Sequence, residues 1–287
     1  MKDTIVILNP AARGARTQRL RAEVEKLARG SILCATSDAG QAEALARNAV
    51  AEGYKKIVAA GGDGTINEIV NGIAGHDVTL GLLPLGTMNV FAAELGLPLN
   101  DLARCWKIIQ ENKTDRVDLP RANRKHFVQL AGVGLDAQAV KETSGAFKRS
   151  FGPLSYLISA VQIATRTPPV LRIESEDAVA VEGSFVLVGN GRLYGGRFPF
   201  FKQAVMNDGL LDVIVFKRLS YLDIIRYLQD VVFTPQISSP EVEYFQTKHF
   251  RVSSEETVPV EIDGELVGNC PVEFRIQAGR LRVLTPR

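Results

Sequence analysis

The sequence predicts an α/β domain with a doubly wound parallel sheet, followed by a second domain that is mostly an antiparallel β-sandwich. The chain has 287 residues, a length that suits two domains better than one core. Strand and helix patterns alternate up to about residue 115, as in parallel sheets whose strands are joined by helices. Beyond it, strand patterns follow one another closely, as in antiparallel sandwiches. We therefore expect domains at 1–115 and 116–287.

The first domain is predicted to contain four strands, each followed by a helix. The strands are largely apolar runs, typical of strands covered on both faces. They are TIVILNP (4–10), SILCAT (31–36), KKIVAAGG (55–62) and VTLGLLPLGT (78–87). The helices carry apolar residues at helical spacing, as Leu20, Val24 and Leu27 do. They are predicted at 17–28, 39–53, 65–75 and 89–96.

The second domain is predicted to contain seven strands separated by turn residues. They are at 126–140, 169–176, 183–191, 210–216, 249–254, 258–265 and 270–279. Two helices interrupt them, one at roughly 147–167 and one that begins at Ser220. The last strand could belong to either domain, so a return to the first domain stays open.

Composition narrows the class of protein. A net charge of +2 gives no sign of a nucleic-acid-binding protein. The three cysteines are far apart and form no CxxC pair, which favours a reducing cytoplasm over a disulfide framework. The longest apolar stretch, which begins at Leu154, is far shorter than the roughly 20 residues that span a bilayer. We expect a cytoplasmic protein without a membrane-spanning segment.

The loop GGDGT (61–65) raises the first functional hypothesis. Three of its residues are glycines at a strand-to-helix junction, and glycine is costly inside either element. Ligands of open parallel sheets bind at the carboxyl ends of the strands, and helix N-termini attract anions. A phosphate could approach the backbone here, with Asp63 beside a magnesium ion and Thr65 as a cap or donor. The alternative, a tight turn with a helix N-cap, explains the loop composition equally well.

Three further strand ends carry small, hydroxyl or basic residues. They are Asn9, Arg13 and Arg16 after the first strand, Thr36 after the second, and Thr87 with Asn89 after the fourth. The carboxyl ends of parallel strands meet at one edge of the sheet. Four strand ends of this kind in one sheet are more often a nucleotide-binding crevice than a coincidence.

Six motifs resemble, in order, those of the bacterial diacylglycerol/lipid kinase family, whose catalytic domain is shared with sphingosine and ceramide kinases. They are GGDGTINEIVNG (61–72), PLGTMN (84–89), GVGLDA (132–137), GNGRLYGG (189–196), NDGLLDV (207–213) and EIDGE (261–265). GGDGT alone also resembles the loops of NAD kinases and phosphofructokinases, whose α/β domain the first domain should share. The whole set spans nearly the full chain.

The resemblance implies a kinase that transfers phosphate from ATP to a lipid hydroxyl, with the nucleotide between the two domains. Diacylglycerol is the default acceptor, while phosphatidylglycerol or a sphingoid base stays open. By motif position, ATP would be held by Thr36, Gly61, Gly62, Asp63, Gly64, Thr65, Ile66, Asn67 and Thr87. Asp63 would be the carboxylate nearest the phosphates and their metal, and Arg13 and Arg16 would contact phosphates.

One departure from the family pattern concerns the residue after Asn89. The family usually has aspartate there, and this chain has Val90, which cannot order a metal, a water or a hydroxyl. Either the family's carboxylate at this position is dispensable in this protein, or this protein differs from the family in its activity or in its choice of substrate.

The segment EIDGE (261–265) is expected to carry the general base. A kinase acting on an alcohol needs a carboxylate that orients the hydroxyl and accepts its proton. The resemblance assigns this role to Glu265, with Asp263 as an orienting neighbour or as the alternative base. Asp263 and Gly264 would equally suit a simple hairpin turn.

A structural magnesium site is implied by the resemblance at residues 205–210. Asp208 would be its side-chain ligand, with backbone carbonyls of Val205 and Leu210 and with Asp212 as a less certain helper. Mg²⁺ prefers oxygen ligands and keeps waters, so one carboxylate is sufficient. A hairpin turn with a polar face is the alternative.

Membrane contact is expected at the inner face of the membrane, where a lipid substrate would be reached peripherally. Aromatic and basic residues mix at 192–203, which suits either an acyl-chain entrance near anionic lipid or a buried aromatic cluster. A homodimer stays open as an assembly. Two other functions also stay open, an NAD kinase and a catalytically silent nucleotide- or lipid-binding regulator.

Overall fold

The computed structural model describes residues 3–10, 15–38, 40–134, 168–177, 180–195, 198–217 and 240–286. The helices predicted at 147–167 and from Ser220 lie outside these residues, as does Arg13. The chain forms two compact units, Met1–Leu119 with Ala278–Arg287, and Pro120–Gln277. Each unit is described by itself.

The first unit is an α/β unit built on parallel strands. Its strands are β1 (Thr4–Leu8), β2 (Ile32–Ala35), β3 (Lys56–Gly61) and β4 (Thr79–Pro84). Its helices are α1 (Ala15–Leu27), α2 (Gln41–Ala51), α3 (Asp63–Ile73), α4 (Val90–Glu94) and α5 (Leu102–Glu111). The strands lie in the order β2, β1, β3, β4 and pair in parallel.

Burial explains why the apolar runs form central strands. Every residue of β1, β3 and β4 is buried, as expected for parallel strands covered on both faces. Helix α2 packs against α3, and α1 contacts α5. The predicted doubly wound parallel sheet is confirmed.

A long-range contact fixes the start of α2. Gly40 precedes that helix in a left-handed conformation and offers no side-chain cap. The carboxylate of Glu68, on α3, instead accepts hydrogen bonds from the backbone N–H groups of Gly40 (2.9 Å) and Ala42 (3.0 Å). A carboxylate at a helix N-terminus satisfies unpaired donors and complements the helix dipole. Glu68 therefore ties the β2–α2 connection, which contains Thr36, to the helix that follows GGDGT.

The second unit consists of antiparallel strands, and the first and last of the strands given next are shared with the first unit. The strands after β4 are β5 (Thr114–Ala122), β6 (Lys125–His126), β7 (Leu130–Val133), β8 (Leu171–Ser175), β9 (Ala180–Gly183), β10 (Phe185–Gly189), β11 (Leu193–Tyr194), β12 (Phe198–Pro199), β13 (Leu211–Phe216), β14 (Val242–Thr247), β15 (His249–Ser253), β16 (Pro259–Ile262), β17 (Glu265–Asn269) and β18 (Val272–Leu284). One sheet has the order β14, β13, β10, β7, β16, β17, and β9, β8, β15 and β18 pair in another.

A buried core joins the two sheets of the second unit. It includes Phe127, Val213, Phe250 and Phe274, all 0% exposed. The rings of Phe250 and Phe274 stack with their centroids 4.9 Å apart, a favourable offset for aromatic pairs. The predicted antiparallel β-sandwich is confirmed.

The last strand contributes to both units. The first residues of β18 pair with β15 through Val272–Arg275. Further along, Arg282 and Val283 pair in parallel with β4. The end of the chain thus adds a strand to the first unit's sheet.

The aromatic segment at 192–203 belongs to a buried cluster. Phe200 and Phe201 are 4% and 1% exposed and pack with Phe185, Ile214 and Phe216. The segment therefore fits the second of its two interpretations, a buried aromatic cluster. Within the described part of the chain, no helix has the length and apolarity needed to cross a membrane.

Candidate active site

The loops that follow β1, β3 and β4 meet at the carboxyl edge of the first unit's sheet. The side-chain amide of Asn9 donates to Oγ1 of Thr65 at 2.9 Å, and the Asn9 backbone N–H donates to the carbonyl of Ala60 at 3.0 Å. The N–H of Leu85 donates to the carbonyl of Gly61 at 2.9 Å. Three strand ends predicted to lie together are thus joined by hydrogen bonds.

These loops border a cavity of about 150 Å³. Its lining residues are Leu8, Asn9, Pro10, Leu20, Arg21, Gly61, Gly62, Thr65, Leu85 and Gly86. Four of them, Asn9, Gly61, Gly62 and Thr65, were predicted from the sequence as nucleotide-binding residues. The cavity is smaller than the roughly 300–1,000 Å³ of typical small-molecule sites, so it would hold phosphate groups rather than a whole nucleotide.

The start of α3 gives this edge its affinity for anions. Gly62 precedes the helix in an extended conformation and has no side chain with which to cap it. The first N–H groups of a helix have no acceptor within the helix, and the helix dipole adds partial positive charge there. The arrangement is that of an anion-binding helix N-terminus, with an aspartate, Asp63, as its first residue.

Asp63 is half-buried, and its Oδ1 accepts a hydrogen bond from the backbone N–H of Phe91 at 3.4 Å. Phe91 belongs to the first turn of α4, so this carboxylate also connects the GGDGT loop to the helix after the second glycine loop. Val90 lies next to Phe91 and is half-buried. The departure from the family pattern therefore occurs beside Asp63.

Close packing explains two of the glycines. A Cβ atom on Gly86 would lie 2.7 Å from the Cα of Gly62 and 2.7 Å from Oδ1 of Asn89. A Cβ atom on Gly61 would lie 2.6 Å from the side chain of Thr65. The two glycine loops touch at Gly62 and Gly86, so these glycines are needed for contact between loops as well as for any approach of phosphate.

Replacing Gly86 by Ala is expected to weaken ATP binding and to destabilise the protein by roughly 1–3 kcal/mol, the usual cost of overpacking. Gly62→Ala is a graded comparison, because its Cβ would lie 3.2 Å from Gly86, a milder crowding. Titration with ATP and thermal unfolding of both variants test whether Gly86→Ala has the larger effect. Wild-type ATP affinity in Gly86→Ala would show that the contact between the loops does not matter for binding.

The remaining residues predicted to bind the nucleotide occupy varied positions. Thr36 is buried and its N–H donates to the carbonyl of Leu8 at 2.9 Å, while Thr87 is exposed. Asn89 is buried, and its side chain makes two hydrogen bonds with the backbone of Gly86, at 2.8 and 2.9 Å. This side chain therefore closes the β4–α4 loop.

Five residues predicted to bind the nucleotide lie within α3, namely Asp63, Gly64, Thr65, Ile66 and Asn67. Gly64 is in its first turn. The side chain of Ile66 is fully buried, and its N–H donates to the carbonyl of Gly62 at 3.1 Å. Asn67 is 7% exposed, and its side-chain oxygen accepts from the Asn71 amide at 3.1 Å. Neither the side chain nor the N–H of Ile66 is therefore placed to bind a ligand.

One basic residue of the cavity was not predicted. Arg21, on α1, lines the cavity and pairs with Glu25 at 2.8 Å. The sequence pattern placed it on the helix predicted at 17–28, for which no ligand contact was predicted. Arg16 lies on the same helix, and Arg13 lies outside the described residues.

In the second unit, Asp263 and Gly264 form the turn between β16 and β17. Both have positive φ, 46° and 85°, the conformation that two-residue hairpin turns of the Asp-Gly type require. Glu261, buried on β16, accepts a hydrogen bond from the Gly264 N–H at 2.8 Å. The turn is held in place by its own neighbours.

Asp263 is the central acceptor of this region. Its carboxylate accepts hydrogen bonds from the backbone N–H groups of Val128 (2.8 Å), Gln129 (3.0 Å) and Leu130 (3.1 Å). Its own N–H donates to the carbonyl of Leu130 at 2.9 Å. These bonds fix the turn to the start of β7. Asp263 therefore lies where a residue that orients Glu265 is expected.

Glu265 is the first residue of β17 and is exposed. It follows the fixed turn directly, so the backbone that carries its carboxylate is held while the side chain faces solvent. An accessible carboxylate on a rigid support is suited to accept a proton from a substrate hydroxyl.

The segment 205–210 forms a turn of its own. Oδ1 of Asp208, which is exposed, accepts from the N–H of Leu210 at 2.9 Å. The N–H of Asp208 donates to the carbonyl of Val205 at 3.3 Å. The carboxylate and the two backbone positions that were predicted to hold a magnesium ion therefore lie in one turn.

The neighbouring carboxyl of Asp212 is unusual. It is 0% exposed, and its Oδ1 accepts from the hydroxyl of Tyr244 and from the Gln246 amide (3.2 Å). Its Oδ2 is buried with no hydrogen-bond partner among the described residues. The pKa of Asp212 is raised to about 6, chiefly by burial and to a smaller extent by the charge of Asp208, against the hydrogen bonds from Tyr244 and Gln246, which lower it.

These donors fit a magnesium ion. The exposed carboxylate of Asp208 and the carbonyls of its turn offer the hard oxygen chemistry that Mg²⁺ prefers, and the nearby Asp212 has a buried Oδ2 with no hydrogen-bond partner among the described residues. Among the described residues, no cluster of three or more His, Cys, Asp or Glu could hold a metal. A cation here would therefore depend on Asp208, backbone carbonyls and water.

Comparison with protein families places both halves of the chain. Residues 3–122 match the family described as "Diacylglycerol kinase catalytic domain". Residues 129–285 match the family described as "YegS C-terminal NAD kinase beta sandwich-like domain". Together the two matches cover nearly the whole chain.

Relatives and solved structures agree with these matches. The diacylglycerol kinase of Staphylococcus carnosus is 30% identical over 98% of this chain and 94% of its own length, and that of Bacillus subtilis is 29% identical over 88% and 85%. Two solved structures from Bacillus anthracis have TM-scores of 0.83 and 0.81, at 25% and 24% identity, and each covers 98% of this chain and 96% of that chain. The predicted resemblance is confirmed, and the chain belongs to the diacylglycerol kinase family.

Proposed function

We propose that this protein transfers the γ-phosphate of ATP to the hydroxyl of diacylglycerol, which yields phosphatidic acid. The observation that carries the proposal is the cavity at the ends of β1, β3 and β4. It is bordered by two glycine loops and by the start of α3, where Gly62 offers no capping side chain, which suits the phosphates of a nucleotide. Relatives named diacylglycerol kinase, similar over nearly the whole chain, support diacylglycerol as the acceptor.

In the proposed reaction, the hydroxyl oxygen of the lipid forms a bond to the γ-phosphorus. The bond from that phosphorus to the bridging oxygen of ATP breaks, and ADP leaves. Glu265 accepts the hydroxyl proton. Asp263 keeps the turn before Glu265 in place through its three backbone hydrogen bonds.

The first unit binds and orients the nucleotide. Asn9 and Thr65, which are hydrogen-bonded to each other, and the N–H groups at the start of α3 would face the phosphates. Asp63 would lie nearest the phosphates and the Mg²⁺ that accompanies them. Phosphoryl transfer depends mainly on positioning and on neutralising charge. When bound, Mg²⁺ would supply that neutralisation at the phosphates and would hold the 205–210 turn at Asp208.

Magnesium is expected to raise the melting temperature of the protein by several degrees, because a ligand that binds only the folded state stabilises it by about 2.7 kcal/mol at 100 times its Kd. Asp208→Asn should abolish most of this response while keeping the hydrogen bond to Leu210, since an amide oxygen can still accept it. Thermal unfolding with Mg²⁺ and with a chelator checks this. Glu255→Gln, which changes an exposed carboxylate (87% exposed) of the same unit, is the matched control. An equal response in Asp208→Asn and wild type would contradict the site.

One observation favours NAD as a second candidate acceptor. The matched family of the C-terminal half is described as NAD kinase β-sandwich-like, so NAD is the alternative acceptor.

Val90 motivates a different hypothesis, a catalytically silent nucleotide- or lipid-binding protein, because it stands where the family usually has aspartate.

Phosphate transfer from radiolabelled Mg-ATP to lipid alcohols in mixed micelles tests the proposal. Diacylglycerol, phosphatidylglycerol, sphingosine and ceramide would be offered separately. Label in diacylglycerol is expected, and label in another lipid alone would reassign the acceptor. ATP binding without any transfer would favour the silent protein, and Val90→Asp would then be the first variant to assay.

A further inference from the structure

A short segment of the second unit, residues 128–130, lies between the end of β10 and the turn that follows β16. The segment leads into β7, whose neighbours in the six-stranded sheet are β10 on one side and β16 on the other. Both neighbours run antiparallel to β7. They therefore end where β7 begins, and Asn190 follows β10 there as Asp263 follows β16.

This segment is held from both sides. The carboxylate of Asp263 holds one side through the three N–H groups of residues 128–130. Asn190 holds the other side, because its side-chain amide donates to the carbonyl of Val128 at 2.9 Å and its backbone N–H donates to the carbonyl of Gln129 at 2.9 Å. The donors of the segment thus bind the turn, and two of its acceptors bind the end of β10.

Gln129 adds a hydrogen bond in the reverse direction. Its side-chain amide donates to the carbonyl of Leu193, three residues after Asn190, at 2.9 Å. The segments 128–130 and 190–193 are therefore joined by donors from both.

The burial of the two amides shows that they do more than fill space. Asn190 is 0% exposed and Gln129 is 3% exposed. A buried amide costs free energy unless it is hydrogen-bonded, and an apolar side chain would fill the same space without that cost. A satisfied network of buried hydrogen bonds instead makes the local structure rigid and unique. The two amides therefore stabilise one arrangement of the backbone at this end of the sheet.

We propose that Asn190 and Gln129 are positioning residues for the proposed base, Glu265. They fix residues 128–130, these residues fix Asp263, and Asp263 fixes the turn after which Glu265 begins β17. A general base must lie within hydrogen-bond reach of the proton that it accepts, and a displacement of about 1 Å can lower a rate by about 10²-fold. The inference rests on the proposed function, in which Glu265 accepts the proton of the lipid hydroxyl.

A double-mutant cycle between Asn190→Ala and Glu265→Gln tests the proposal. In the wild-type background, Asn190→Ala is expected to lower kcat by roughly 10- to 100-fold. It should leave the affinity for ATP unchanged, because the proposed nucleotide site is in the first unit. In the Glu265→Gln background, Asn190→Ala should lower kcat by less than about 2-fold, because a residue that acts through the base has no base left to position. An equal fold-loss in both backgrounds would overturn the proposal.

Two further variants separate positioning from folding. Gln129→Met keeps the approximate volume of the side chain and removes its amide, so it should also lower kcat, and wild-type kcat in this variant would overturn the proposal even if Asn190→Ala did not fold. Ser184→Ala is the matched control, since Ser184 is 9% exposed at the other end of β10 and its hydroxyl donates to the carbonyl of Lys217 at 3.4 Å. It should keep wild-type kcat. An equal loss in Ser184→Ala would show that any weakening of β10 lowers kcat and would overturn the proposal.

Hydrogen exchange gives a readout that does not depend on turnover. The N–H groups of residues 128–130 are expected to exchange roughly 2- to 10-fold faster in Asn190→Ala and Gln129→Met than in wild type, the factor that corresponds to one net hydrogen bond. Unchanged exchange in a protein that phosphorylates lipid would overturn this inference alone. Faster exchange in a protein that phosphorylates no lipid would overturn the proposed function and, with it, the catalytic role of the two amides.

Discussion

Replacing Glu265 by Gln is expected to lower the rate of phosphate transfer by about 10²- to 10⁴-fold, the usual contribution of a general base. Gln has the shape of Glu but cannot accept the proton of the attacking hydroxyl. The side chain is exposed at the start of β17, so its replacement should leave the fold and the affinity for ATP unchanged. The measurement is the turnover number, with ATP binding and thermal unfolding measured on the same preparation.

Glu255→Gln is the matched control for this variant, because it makes the same chemical change at an exposed carboxylate of the same unit. It should keep wild-type turnover. If Glu265→Gln also turned over at the wild-type rate, the proton would have to be accepted elsewhere and the assignment of Glu265 would be wrong.

Replacing Asp263 by Ala is expected to reduce the free energy of unfolding by roughly 4 kcal/mol or more. The three N–H groups at residues 128–130 would lose their acceptor, and each buried donor left unpaired costs about 1–3 kcal/mol. Ala is also disfavoured by about 1–2 kcal/mol in the left-handed conformation of Asp263 (φ 46°). Turnover should fall as well, since Glu265 would lose its fixed support. Chemical denaturation measures the first effect and the transfer assay the second.

Two variants separate the causes of this loss. Asp263→Asn keeps one oxygen and tolerates positive φ, so its loss of stability should be clearly smaller than that of Asp263→Ala. Asn112→Ala changes another left-handed residue, the cap that directly follows α5 (φ 58°), and should show the conformational cost alone. Equal losses in Asp263→Ala and Asn112→Ala would mean that the hydrogen bonds of Asp263 contribute little.

The local pattern of the first unit could be predicted from the sequence because it depends on short-range chemistry. Continuous apolar runs predicted β1, β3 and β4, and the glycines of GGDGT predicted where β3 ends and α3 begins. The structure places these boundaries at Gly61 and Asp63, one residue before the predicted strand end and two residues before the predicted helix start. Motif order along the chain was sufficient to predict the family.

The contacts between distant segments could not be predicted from the pattern. Gly62 and Gly86 meet because two loops pack together, whereas the sequence suggested only room for phosphate. Glu68 caps a helix more than 20 residues away, and Asp263 binds a segment 133–135 residues away. A sequence motif does not show whether its carboxylate contacts a ligand or accepts hydrogen bonds from backbone N–H groups.

Several strands after β4 were not predicted, and β5 and β14 show a related reason. The β5 segment, Thr114–Ala122, contains Asp118, which is 1% exposed. Its carboxylate accepts from the N–H of Gly279 at 2.6 Å, so a buried charge stands where an apolar residue would mark a strand. β14, Val242–Thr247, is half-buried along most of its length, so it lacks the clear alternation that marks a strand in sequence.

The measurement that tests the central claim most directly offers two acceptors at once. Diacylglycerol in neutral detergent micelles and NAD in the same buffer would compete for label from Mg-ATP, and the lipid and nucleotide products would be separated and counted. A diacylglycerol kinase is expected to place the label in phosphatidic acid and none in the dinucleotide. Label in the dinucleotide alone would contradict the account and would make this chain an NAD kinase on a closely related fold.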